Sequence, residues 1–137
     1  MKNLQKQFLT FATIFTIIVI MDFVWLGILQ KNYFAAIMKK LNCGKDHTVN
    51  WPTIVITYFV MAFSIYYFVF YTVDEKEMSL ATVMMRAVLI AMAMYVVVDF
   101  TLLNMTNTWT MNDAIKDILW GNVLCVSVAV ATYYLVY

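Results

Sequence analysis

The chain has 137 residues, of which 64% are hydrophobic and 12% charged, with a formal net charge of +1. A soluble domain carries about 45–50% apolar and about 25% charged residues, so this composition names lipid as the solvent. The length suits a single integral membrane domain, residues 1–137, and the near-neutral charge offers no basic face for nucleic acid and no acidic tail.

The first predicted helix covers about residues 8–30. It has 15 uncharged residues between Lys6 and Asp22 and eight more before Lys31. Lys2 and Lys6 ahead of an apolar run resemble a signal peptide. No small-residue cleavage site follows, and Asp22 and Trp25 come instead, so an uncleaved first span is expected. Residues 31–41 place Phe34, Ile37, Met38 and Leu41 on one helical face, as an extension of the first helix or an interfacial helix. Asn42 and Gly44 break that segment, residues 42–50 read as irregular, and Pro52 suits the first turn of the next helix.

The second predicted helix covers about residues 52–73, within 26 uncharged residues between His47 and Asp74. The stretch "DEKEMS" leads to a third helix at about 80–103, where Arg86 is expected to snorkel to the interface or to meet Asp74, Glu75 or Glu77. The stretch "NMTNTWTMN" leads to a fourth at about 115–136. A bilayer core needs about 20 apolar residues per helix, and these runs lack the alternation of a barrel strand. The fold class is therefore an all-α membrane protein, a bundle of four transmembrane helices. Ala87 with Ala91, and Ser127 with Ala131, have the small-residue spacing of close helix contacts. Tyr66, Tyr67 and Tyr71, and Tyr133, Tyr134 and Tyr137, read as interfacial belts. Cys125 reads as a small buried hydrophobe, and no CxxC pair is present. Lys31, Lys39, Lys40, Lys45 and Lys116 face Lys2, Lys6, Lys76 and Arg86 across the membrane. The dense first-loop cluster favours the cytoplasm for that side.

Four antiparallel spans put Asp22, Asp99 and Asp117 in the same half of the bilayer. An ionisable group there costs about 2.5–3.5 kcal/mol on insertion scales, so it should face the bundle interior. "DFVWLG" and "DILWG" each set an aspartate and a tryptophan three residues apart, on one helical face. An indole N–H only donates and an ionised carboxylate only accepts. The expected site is an interior pocket of Asp22, Asp99, Asn104, Trp25 and Trp120, binding a ligand or a proton. Asp117 lies at its rim, and at a helix start it also reads as an N-cap.

These motifs resemble the membrane-protein family known as domain of unknown function 2177. Asp22, Trp25, Leu26 and Gly27 match its D-x-x-W-L-G, and Tyr33 its following tyrosine. Asp99, Thr101 and Asn104 match the end of its third helix, and Trp109, Asp117, Trp120 and Gly121 its later tryptophan and D-x-x-W-G. The sequence departs at Val98, where the family often has tyrosine. The resemblance implies four helices and a shared site, and it brings no reaction with it.

Missing residues bound the chemistry. No span core has the lysine of a retinal Schiff base, no G-x-G-D accompanies Asp99, and no T-V-G-Y-G filter is present. The only histidine, His47, lies in a loop, so no metal ligand set is expected. No nucleophile–base pair is visible, so no catalytic residue is named and the sequence points away from an enzyme. No cofactor is expected. The partners expected are the bilayer and a small-molecule or cation ligand, with homo-oligomerisation left open. Two readings remain: a small transporter or ligand-binding membrane protein, and a non-catalytic scaffold or accessory subunit.

Overall fold

The computed structural model describes residues 3–137, so Lys2 lies outside the described residues. Helix α1 runs Leu4–Val24 and continues as a π-helical turn, Trp25–Leu29. Helix α2 spans Lys31–Leu41. Helix α3 runs Trp51–Ile65 and widens into a second π turn, Tyr66–Tyr71. Helices α4, Leu80–Met105, and α5, Met111–Val136, complete the bundle, and no strand occurs among the described residues. Four spans are long and apolar enough to cross a membrane: Leu4–Leu29, Trp51–Tyr71, Leu80–Met105 and Met111–Val136.

Each span opens on a side-chain cap. Asn3 accepts from the Gln5 N–H, Asn50 from Thr53, Ser79 from Thr82 and Thr110 from Asp113. At α5 the Asp113 carboxylate returns a bond to the Thr110 N–H, closing a capping box. The cap expected of Asp117 is therefore corrected. Capped by Thr110, the helix starts at Met111, four residues ahead of expectation, and Asp117 falls inside α5.

The interior is built from stripes at four-residue spacing. Thr10, Ile14, Ile18 and Asp22 line the buried face of α1, and Val83, Ala87, Ala91 and Asp99 that of α4. On α5 the buried small stripe is Gly121, Cys125 and Ala129, rather than the expected Ser127 and Ala131. A Cβ at Gly121 would land inside the Tyr95 ring, so glycine is what lets α5 close on α4.

Lys6 meets Glu75 at 3.0 Å and its ammonium lies 4.0 Å over the Tyr137 ring, so both termini and the 74–79 loop share one end. Arg86 finds neither Asp74, Glu75 nor Glu77. Its Nη1 donates to the Phe68 carbonyl at 2.9 Å and to Thr72 Oγ1 at 2.8 Å. A π turn loosens the i→i−4 ladder, and an internal guanidinium takes up the freed acceptor. At the opposite end α2 breaks from α1 at Gln30 and lies across the bundle, burying Ile37 against Trp109 and Ala114.

Candidate functional site

The three aspartates sit at one level. Asp22 precedes Leu29 by seven residues, Asp99 precedes Met105 by six, and Asp117 follows Met111 by six. At about 1.5 Å per residue each lies roughly 9–11 Å inside the end that carries α2 and the 106–110 loop. Asp22 and Asp99 are buried, and Asp117 is half-buried.

Their partners come from other helices. Trp120 on α5 donates its indole N–H to Asp22 Oδ1 on α1 at 2.9 Å. Trp25 on α1 stacks on Trp120, ring centroids 4.2 Å apart and planes within 7°. The two D-x-x-W motifs therefore meet: Trp120 of α5 serves Asp22 of α1, and the two rings close over each other. A π turn begins at Trp25, where Gln30 N bonds the Trp25 carbonyl at 2.7 Å, five residues back. The Tyr58 hydroxyl on α3 also reaches Asp22.

Asp99 is held from the loop. The Trp109 N–H bonds Thr106 Oγ1 at 3.1 Å, fixing a turn that presents the Trp109 indole to Asp99 Oδ1 at 3.1 Å. Asp99 Oδ2 is buried with no hydrogen-bond partner among the described residues. The group facing Asp99 is the carboxyl of Asp117 on α5. Two carboxylates are acceptors only, so the contact closes when a proton or a cation lies between them.

A cavity of about 460 Å³ opens beside this pair. Asp117 reaches its floor, and Trp25, Trp120, Trp109, Tyr33 and Phe34 supply aromatic walls. Tyr33 donates to Asp113 Oδ1 at the mouth, outside the spans. Partial burial, and then the Asp113 carboxylate beside it, push the Tyr33 hydroxyl up to about 12.

Of the residues expected at the site, Trp25, Trp120 and Asp117 line the cavity, Asp117 on its floor rather than at its rim, whereas Asp22 and Asp99, expected to line it, lie behind Trp120 and Asp117 and do not reach it. Asn104 does not join them: it is exposed on α4, five residues past Asp99 and so about 140° round the helix. Sequence reading missed Tyr58, Tyr95 and Asp113, and it did not see Trp109 as a donor. A T-x-x-D capping signal before the fourth span was present at Thr110 and would have found Asp113. Tyr58 and Tyr95 carry no local signal, because tyrosines also fill the interfacial belts.

Residues 7–134 match the family described as "Predicted membrane protein (DUF2177)". No curated protein and no solved structure matches the chain.

Proposed function

We propose, for a chain that belongs to the DUF2177 family of predicted membrane proteins, that this multi-pass integral membrane protein is a small transporter or ligand-binding protein. Its working site is the carboxylate pocket of Asp22, Asp99 and Asp117, with Trp25 and Trp120 as its aromatic cover. One observation carries the reading: a buried, unpaired oxygen of Asp99 beside a second carboxyl that lines a cavity. Such a pair holds a proton when empty and can release it when a ligand arrives. That exchange is the elementary step of proton-linked binding or transport.

A scaffold role has its own support. Asp22 and Asp99 each accept an indole N–H from another segment, which is how acids tie a bundle together. The two readings divide at Asp117, which accepts no indole. Asp117→Asn keeps size and one hydrogen bond but removes the exchangeable charge. Wild type and variant should insert and unfold alike, while proton-linked flux in liposomes is lost in the variant. A wild type with no flux and no ligand-dependent stabilisation leaves the scaffold standing.

A further inference from the structure

The cavity's polar and apolar surfaces differ in kind. The carboxyls that reach it are Asp117 on the floor and Asp113 at the mouth, with Asp99 directly behind Asp117. Its walls are mostly aromatic faces. On the outer side Leu119 and Val123, both exposed on α5, form a lip towards the acyl chains. An anion brought to this floor would meet three carboxyls. A neutral ligand would gain hydrogen bonds from them and no charge attraction. A cation gains from the carboxyls and from the negative faces of the rings.

One cation already stands at the cavity's wall. The Lys116 ammonium, which also lines the cavity, lies 4.6 Å from the centroid of the Tyr33 ring. This is within the roughly 6 Å over which a ring face attracts a positive charge.

We infer that the cavity is a site for a lipophilic organic cation, and that the Lys116 ammonium on the Tyr33 face at its wall is a tethered competitor for that cation. The inference rests on the pocket reading of the previous subsection and adds the ligand class and a competitor. A cavity of about 460 Å³ takes a small molecule rather than a bare metal ion. The apolar lip favours a ligand with a bulky hydrocarbon body that partitions into the membrane first.

The test uses two probes of one shape and opposite charge, tetraphenylphosphonium and tetraphenylborate, titrated into the full chain in nanodiscs. Tryptophan quenching reads the site, since Trp25, Trp109 and Trp120 line it. The phosphonium should bind saturably and the borate should not. Lys116→Met removes the competing charge and keeps the stem, so it should tighten phosphonium binding by about 2- to 30-fold, the span of one exposed-to-desolvated cation–π contact. Asp117→Asn should weaken it by at least about tenfold, as expected for one partly buried charge pair. Lys116 is exposed, so its variant should fold as wild type does. Equal saturable binding of both ions, or phosphonium affinity unchanged by Lys116→Met, overturns the cation assignment. If Asp117→Asn still abolishes flux, the pocket reading survives that result. No saturable binding, together with no flux in wild type, removes both.

Discussion

Towards the termini, Ile14, Ile18, Val83, Ala87 and Val128 fill the bundle with apolar atoms, and among the described residues the only buried polar side chains there are Thr10 and Thr132. Towards α2, the spans turn Asp22, Asp99, Asp117 and Trp120 inward, and the 106–110 loop adds Trp109. The apolar half holds itself by close packing, because lipid tails leave no hydrophobic drive between helices. The polar half is joined by a few hydrogen bonds, which in membranes average only about 0.6 kcal/mol each. Stability is therefore expected to belong mainly to the apolar half.

The largest effect should come where the halves meet. Gly121→Ala drives a methyl group into the Tyr95 ring and should cost about 2–3 kcal/mol, the upper range of overpacking. Steric-trap or detergent unfolding measures it. Tyr95→Ala in the same chain should recover part of the loss, and strict additivity would show that the two side chains do not collide.

Ile14→Ala probes the apolar half alone. It removes packed methyl groups from a fully buried site, and about 2 kcal/mol is expected. This is the low end for such truncations, because the transfer from water does not apply between lipid and protein.

Trp120→Phe probes the polar half. It keeps a ring for Trp25 to stack on and deletes the N–H that Asp22 accepts. A loss of about 0.6–1 kcal/mol is expected, smaller than that of Ile14→Ala. The reverse order would make the polar half the stabilising one and favour the scaffold.

The smallest effect concerns pH at the cavity mouth. Tyr33 is held above the ordinary tyrosine value by burial and by Asp113, at about 12. A raised folded value means the native hydroxyl keeps its proton longer than the unfolded one. Its contribution is full below pH about 10 and is lost as pH rises through about 12. The wild type should lose stability across that window, and Tyr33→Phe should flatten that part of the slope. Spectrophotometric titration should show one fewer high-pH tyrosinate in the variant.

Several features were legible before any coordinates. Charge-poor runs mark the four spans, because hydrocarbon excludes ionised side chains whatever face they occupy. The antiparallel alternation of short loops fixes Asp22, Asp99 and Asp117 at one depth, and the break at Asn42 and Gly44 ends α2 where expected. Helix faces were not legible. Phe23, Val97 and Leu119 are as apolar as Ile18 and Leu124 yet face outward, since lipid accepts what the interior accepts. Without a polar face, periodicity cannot say where a helix turns its Asp, nor that Asn104 turns away. Only the tertiary structure decided that Trp120 serves Asp22 rather than its own helix's Asp117, that Asp117 faces Asp99, and that Trp25 stacks on Trp120. Each depends on how one helix is rotated against another, and that rotation is set by close contacts such as Gly121 on Tyr95, which link residues far apart in the chain.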